Sequence, residues 1–284
     1  MTATETAAAG ATRPAARRPV GVVRQTLRLA RTEFTLIYRY RTALFFVLFP
    51  LIFVALATMG EGPSLLEGIS AAEFSVAGTP STIAMMIGIM HVSNAYAARR
   101  EQLILKRYRA SGVSPYAMFG ATTVSVVAVT AVLTLIVGAV MAGLYGTLPA
   151  DPVMVVAGVL LTAVTMSLLG AAMTRLVASA EGAQMLSMVP FLVLYASAGL
   201  MIPLDVFPDG VAAAARLLPM APAVDLVRAG YFGRDLFGGV SGAEAATGLE
   251  LWAAALPALG VCAVWAGIAV FLLRYFRWDP RQPK

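Results

Sequence analysis

The sequence predicts an all-α, polytopic membrane protein with six transmembrane helices, an N-terminal interfacial amphipathic helix and an outer re-entrant helical segment. Hydrophobic residues make up 59% of the 284 residues, charged residues make up 13%, and the mean hydropathy is +0.80. Soluble proteins carry about 25% charged residues, so most of this chain must be solvated by lipid. Six apolar segments lack Asp, Glu, Lys and Arg and are long enough for a helix to cross the hydrocarbon core: 43–60, 79–98, 118–145, 153–174, 183–202 and 251–273.

Basic residues predict the orientation of these spans. Eight arginines precede the first span, five basic residues follow the second, one follows the fourth and four follow the sixth. The segments on the opposite side carry three arginines in total. Because Lys and Arg concentrate in cytoplasmic loops, this asymmetry predicts an inner-membrane protein with both termini in the cytoplasm. Its basic side is then expected to contact anionic membrane lipid.

The two ends of the chain differ from the part that contains the spans. Residues 1–19 are rich in Ala, Thr, Arg and Pro, a composition that predicts a disordered tail. Within 20–41, apolar residues recur every three or four positions and most arginines fall elsewhere, which predicts a basic amphipathic helix in the cytoplasmic interface. A plain polar extension of the first span is the alternative. We therefore predict one transmembrane domain over residues 20–280 and a short tail at 281–284.

The chain lacks the motifs of several enzyme classes. It contains no GxxxxGK[ST] loop for nucleotide phosphates, no HExxH and no CxxC. Cys262 is the only cysteine, so neither an intramolecular disulfide nor a cysteine metal cluster is possible. The spans carry no acid or base except His91, which disfavours an ion-coupled carrier because such carriers bind their ions at ionisable groups. We predict no catalytic residue, no metal, no cofactor and no nucleic-acid partner for this chain.

One polar cluster lies deep in the second span and consists of His91, Ser93 and Asn94. These side chains predict either contacts along a substrate path or hydrogen bonds that fix helix packing. Packing hydrogen bonds between membrane helices contribute about 1 kcal/mol or less each. We favour the packing interpretation and keep the substrate path as the functional alternative.

The loop after the second span carries a family resemblance. It reads Arg99-Arg-Glu-Gln-Leu-Ile-Leu-Lys-Arg-Tyr-Arg109. It resembles the coupling segment of type-2 ABC exporter permeases of the daunorubicin-resistance-like group, which typically shows Arg-Glu-x-Gly-Thr-Leu-Lys-Arg-x-Arg. Leu103 and Ile104 depart from the usual Gly-Thr. The resemblance implies a short helix seated in the groove of an ATPase, with an apolar wedge of Leu103, Ile104, Leu105 and Tyr108. The charged flanks of this helix would be Arg99, Arg100, Glu101, Lys106 and Arg107.

Two further segments extend the resemblance. The stretch after the fifth span is similar to the outer turn and the Pro-x-x-Pro-x-x-Asp-x-x-Arg ending of the same family, and residues 274–280 resemble its tail. Prolines interrupt residues 203–230, and each proline removes a backbone donor. This stretch therefore predicts a re-entrant or interfacial helix pair at the outer end, defined by Gly199, Pro203, Pro208, Pro219, Pro222, Asp225 and Arg228.

The resemblance implies a pair of permeases, identical or different, each docked on a separate ATPase subunit that binds ATP and Mg. We predict export of a hydrophobic or amphipathic small molecule, such as a drug or secondary metabolite, and hence a role in multidrug efflux and antibiotic resistance. Export of a lipid-linked glycan is one alternative, although no row of aromatic residues for sugar stacking is evident. A membrane-embedded enzyme would need a catalytic set at the interface. A plain cytoplasmic loop or structural anchor would not account for the apolar residues between 103 and 108.

Overall fold

The structure is a computed structural model that describes residues 21–39, 68–200 and 202–279, together with a few positions between 48 and 66. The described helices are α1 (Val22–Arg39), α2 (Ala71–Glu101), α3 (Ile104–Ala110), α4 (Pro115–Tyr145), α5 (Pro152–Leu176), α6 (Ala180–Ala196), α7 (Asp209–Arg216), α8 (Met220–Phe232) and α9 (Gly248–Leu273). A short antiparallel hairpin pairs β1 (Ser64–Leu66) with β2 (Ile69–Ser70). The all-α prediction missed this hairpin, whose turn contains Gly68 in the left-handed region at φ +76°.

Four described helices are long and apolar enough to cross a membrane, namely α2, α4, α5 and α9. They coincide with the second, third, fourth and sixth predicted spans. The fifth predicted span is the 17-residue apolar helix α6, which is shorter than the roughly 20 residues of a full crossing. The first predicted span, at 43–60, and both terminal tails lie largely or wholly outside the described residues. A multi-pass helical membrane protein is confirmed, and the count of six spans stays a prediction.

Two span boundaries differ from the predicted ones for local reasons. Helix α2 begins at Ala71 instead of 79, because the Ser70 hydroxyl caps it by accepting a hydrogen bond of 3.2 Å from the Glu73 backbone N–H. The Glu73 carboxylate in turn accepts a hydrogen bond from the Thr147 hydroxyl. Helix α6 ends at Ala196 instead of 202, because the chain turns away through Gly199 at φ +64°.

Helix α2 is the centre of the bundle and is almost wholly buried against α4, α5, α6 and α8. It contains one turn of π-helix, Ile87–His91, where it crosses α5. Two glycines face each other at this crossing. A Cβ atom on Gly170 would collide with the Gly88 carbonyl oxygen, and one on Gly88 would lie 2.6 Å from the Met166 Cβ. The two backbones can approach this closely only because both residues lack a side chain.

The segment predicted to lie at the outer end forms a helix pair, α7 and α8, which are bent by 84° relative to each other. Pro219 and Pro222 lie at the start of α8, where a missing backbone N–H removes no helical hydrogen bond. The body of α8 is buried between α2, α5 and α9, and the Ser81 hydroxyl donates to the Ala223 carbonyl at 3.2 Å. The predicted helix pair is therefore present, but α8 lies inside the bundle instead of capping it. Its depth in the membrane stays a prediction.

Candidate functional site

The loops between the described helices collect at two ends of the bundle. One end holds the chain between α2 and α4, the link between α5 and α6, and the segment after α9, and it is lined by arginines. We call it the basic end. The opposite end holds the β-hairpin, the link between α4 and α5, and the chain that leads into α7 and out of α8. Every residue of the predicted coupling segment lies at the basic end.

Leu103 forms the corner between α2 and α3. Its backbone adopts φ +60°, and it is the single non-glycine with a positive φ among the described residues. The left-handed conformation costs a side-chain-bearing residue roughly 1–2 kcal/mol, because the Cβ crowds the carbonyl oxygen that follows it. This is the position where the family pattern carries glycine, which adopts the same conformation without strain. The Leu103 side chain is 42% exposed, so the chain retains an outward-facing leucine at a strained position.

Arg99 and Arg100, predicted as charged flanks of the coupling helix, are buried at 8% and 2% exposure and face the interior of the bundle. The Arg99 guanidinium forms an ion pair with Glu33 of α1. Arg100 donates to the carbonyl oxygens of Thr174 at 2.7 Å and Val177 at 2.6 Å. The last carbonyls of a helix lack intrahelical partners and carry the negative end of its dipole. Arg100 therefore ties α2 to the end of α5.

Glu101 ties the same end of α2 to α6, although it is exposed. Its carboxylate accepts a hydrogen bond of 3.2 Å from the Ala180 backbone N–H, one of the unpaired donors in the first turn of α6. Asn94, about two turns earlier on α2, donates its side-chain amide to the Ala180 carbonyl at 3.2 Å. Both side chains thus form hydrogen bonds with the backbone of Ala180. Glu101 therefore contributes to helix packing within the chain.

The polar cluster of α2 also makes packing contacts. The Ser93 hydroxyl is buried and donates to the Met90 carbonyl at 3.1 Å within the same helix. His91 ends the π-helical turn and is partly buried. The Asn94 bond to α6 favours the packing interpretation for Asn94. The role of His91, Ser93 and Asn94 on a substrate path stays a prediction.

Leu105 is fully buried, which corrects its prediction as an exposed wedge residue. It lies in the apolar cluster that also contains Tyr96, Met118 and Phe276. Phe276 packs edge-on against Tyr96, with ring centroids 5.5 Å apart. The segment after α9 therefore packs against α2 and α4, within the cluster that also contains Leu105. Its resemblance to the family tail marked these residues but did not reveal what they contact.

Fewer residues of the predicted coupling segment are exposed around Leu103 than the sequence predicted. Ile104 and Tyr108 are partly buried, whereas Lys106 and Arg107 are exposed. These two basic residues lie in the first turn of α3, directly after the corner at Leu103. We call this surface, which consists of Leu103, Lys106 and Arg107, the basic corner.

Helix α1 is joined to the end of α2 and to the start of α4 through contacts that sequence reasoning missed. Besides the Glu33–Arg99 ion pair, the Gln25 side-chain oxygen accepts a hydrogen bond of 3.0 Å from the Ser114 backbone N–H. Glu33 is the only acid among the arginines of α1, and a lone acid in a basic helix is the sequence signal for a basic partner. The predicted amphipathic helix is present over Val22–Arg39, and its position in the interface stays a prediction.

At the opposite end, Arg228 joins three segments that are distant in sequence. It is buried, and its guanidinium donates to the carbonyl oxygens of Phe74 at 3.0 Å, Gly199 at 2.9 Å and Leu200 at 3.2 Å. The guanidinium carbon also lies 3.9 Å from the centroid of the Phe74 ring. Asp225, one turn earlier on α8, lies near Arg228 along a small cavity. Arg228 therefore holds the turn after α6 against the start of α2.

The remaining residues of the predicted outer turn begin short helical elements. Pro203 precedes the 3₁₀ turn Leu204–Val206, and Pro208 precedes α7. The structure thus brings Gly199, Asp225 and Arg228 together, and it uses Pro203, Pro208, Pro219 and Pro222 as helix-start residues. Asp205, in the 3₁₀ turn, forms an ion pair of 3.0 Å with Arg216 of α7.

A sequence profile of the ABC-2 family transporter proteins matches residues 69–274, which include α2 to α9. The chain belongs to the ABC-2 transporter family. It is thus the membrane component of an ABC-type transporter, and the predicted family is confirmed. The daunorubicin-resistance-like subgroup stays a prediction. No curated protein sequence matches the chain.

Arg228 gives a first test of how this ABC-2 transporter protein is held together. Replacement by Met removes three charged hydrogen bonds and leaves three buried carbonyls without their donor, so we expect a loss of about 3 kcal/mol or more in stability. Thermal unfolding of the detergent-solubilised protein measures the loss. Arg216→Met is the control, because its ion pair with Asp205 is partly exposed and contributes about 1 kcal/mol or less. Equal melting temperatures for the two variants would contradict the assignment.

Proposed function

We propose that the chain is the permease subunit of an ATP-driven exporter, powered by a separate ATPase subunit that docks on the basic corner. The observation that carries this proposal is Leu103, an exposed leucine held in strained backbone between basic residues on an ABC-2 transmembrane domain. An apolar side chain on a water-facing corner gains free energy when a partner covers it. Lys106 and Arg107 then suit an acidic or hydrogen-bonding rim around the partner's groove.

A motif that the amino-acid sequence lacks also supports a separate ATPase partner for this chain. It carries no phosphate-cradling loop of the GxxxxGK[ST] type, so the ATP and Mg of the transport cycle belong to the partner. Hydrogen bonds connect the basic corner to the spans. Arg100 and Glu101 link α2 directly to α5 and α6. A movement of the corner that the ATPase causes would therefore be transmitted to three helices.

The cargo that fits this domain is a hydrophobic or amphipathic small molecule, such as a drug or secondary metabolite. Helices α4 and α9 present mostly apolar side chains to their surroundings, among them Leu135 on α4 and Val264 on α9. A molecule of this kind reaches the permease from within the bilayer, and we place its path near the seam between two permease copies. Multidrug efflux and antibiotic resistance are the corresponding physiological roles.

The direction of export requires the basic end to lie in the cytoplasm, and we propose this orientation with both termini inside. Single cysteines in a Cys262→Ser background report it through a membrane-impermeant maleimide. We expect Lys106→Cys to react only after permeabilisation and Glu244→Cys, on the exposed chain before α9, to react in intact cells. Labelling of Lys106→Cys in intact cells would show that the basic end faces outward, and it would contradict the proposed docking site of the ATPase.

The decisive experiment for the function is biochemical reconstitution. The tagged permease is purified from its native membranes, and the ATP-binding protein that accompanies it is identified and expressed with it. We expect the complex in proteoliposomes to hydrolyse ATP and to move an apolar fluorescent drug across the bilayer. The permease alone should neither bind nor hydrolyse ATP. Turnover by the permease alone, or drug movement that is indifferent to ATP, would refute the proposal.

A further inference from the structure

An apolar groove lies on the side of the bundle between α5, α6 and α9. It encloses about 350 Å³, within the range of about 300–1,000 Å³ that small-molecule sites span. Helices α6 and α9 both border it, and it is open along one side. Its walls are formed mainly by Leu169, Ala172, Met173, Val193, Leu194 and Leu272.

One charged side chain lines the groove, and it is basic. Arg175 lies in the 3₁₀ turn that ends α5, at the basic end, and its guanidinium carbon is 5.0 Å from the centroid of the Tyr275 ring. No acidic side chain lines the groove in the described part of the chain. Trp265 also borders it, but its indole N–H already donates to the Leu217 carbonyl at 2.8 Å. The groove therefore offers an apolar body with a cation at one end.

The groove opens on the outer surface of the bundle, next to the exposed apolar faces of α6 and α9. Val189 and Val193 on α6 and Leu272 on α9 are exposed there. In a membrane these side chains meet lipid, so acyl chains have direct access to the groove. Arg175 lies at the end where a phospholipid of the adjacent leaflet carries its phosphate.

We propose that this groove binds an anionic phospholipid, with one acyl chain against the apolar walls and the phosphate against Arg175. The apolar surface of the groove then stays out of water along its length. The phosphate meets a cation next to a low-dielectric wall, where opposite charges attract more strongly than in bulk water. The site goes beyond the proposed export function, because lipid binding here needs neither an ATPase nor ATP.

Native mass spectrometry of the purified protein in a non-ionic detergent tests the site. Phosphatidylglycerol and phosphatidylcholine with identical acyl chains are offered separately and in competition. We expect the wild type to retain phosphatidylglycerol preferentially. Arg175→Gln should lower its retention about fivefold, toward the level of phosphatidylcholine, which corresponds to losing one partly exposed charge pair. Val193→Trp, which fills the groove from an exposed position, should lower the retention of both lipids.

Two control variants distinguish binding at this groove from non-specific retention of lipid by other basic or apolar residues of the surface. Arg277→Gln removes an exposed basic residue of the same end that does not line the groove, and Leu135→Trp enlarges an exposed apolar residue on α4. Both should retain phosphatidylglycerol as the wild type does. Equal loss in Arg277→Gln, wild-type retention in both groove variants, or a preference for free oleate over phosphatidylglycerol would each overturn the proposal. None of these outcomes depends on transport, so they leave the export proposal to its own test.

Discussion

Gly170→Ala is expected to reduce the yield of folded permease severely. Its new methyl group would meet the Gly88 carbonyl oxygen, and the second-nearest atom, the Ile89 carbonyl oxygen, is 3.1 Å away. These are backbone atoms, which cannot rotate aside as the end of a flexible side chain does. Overpacking at a crossing of this kind costs typically 1–3 kcal/mol and here about 3 or more, because two whole helices must separate. The π-helical turn at Ile87–His91 would move with them.

Two other glycines of the transmembrane helices provide the matched controls. Gly260 and Gly267 lie on α9, and a Cβ atom built on either of them has no neighbour within 4 Å. Alanine has the higher helix propensity, so Gly260→Ala and Gly267→Ala should be neutral or slightly stabilising. Fluorescence-detection size-exclusion chromatography of tagged variants, followed by thermal unfolding, compares all three. A Gly170→Ala variant as monodisperse and stable as the controls would show that the α2–α5 crossing is looser than the structure has it.

The membrane helices were the part of the fold that sequence could predict. A run of about 20 apolar residues without charge has one stable outcome in a bilayer, where each backbone group must find its partner within the helix. The first residues of the helices were harder to predict from sequence. Helix α2 begins before the apolar run, at Ala71, because Ser70 caps it and Thr147 satisfies Glu73, and Thr147 is 74 residues further along the chain.

The burial of the coupling segment could not be predicted for the same reason. Arginines in a loop predict exposure, since a charge out of water is unfavourable unless it finds partners. The partners of Arg100 are carbonyls at the end of α5, and that of Arg99 is a glutamate in α1. No local spacing reveals such contacts. The apolar residues of the loop were likewise recognised as a group, yet only the three-dimensional arrangement separates the buried Leu105 from the exposed Leu103.

Leu103 and Leu105 are therefore expected to respond differently to the same change. Leu105→Asp places a charge in the fully buried cluster with Tyr96 and Phe276 and should prevent folding. Leu103→Asp places the charge on the exposed basic corner, so the permease should fold and reach the membrane normally. If the ATPase covers this corner, Leu103→Asp should lose the ATPase during purification and abolish ATP-dependent transport.

Leu103→Gly separates the contact from the strain. Glycine adopts φ +60° freely, so this variant should gain about 1 kcal/mol in stability, while the loss of the apolar contact weakens ATPase binding by roughly fivefold, or about 1 kcal/mol. Leu148→Asp is the control, because Leu148 is a leucine with 71% exposure in the link between α4 and α5 at the opposite end. Co-purification of the ATPase and transport in proteoliposomes are measured for each variant. A Leu103→Gly permease that is more stable and retains its ATPase fully would show that the leucine contributes nothing to the contact, and the docking site would then have to lie elsewhere at the basic end.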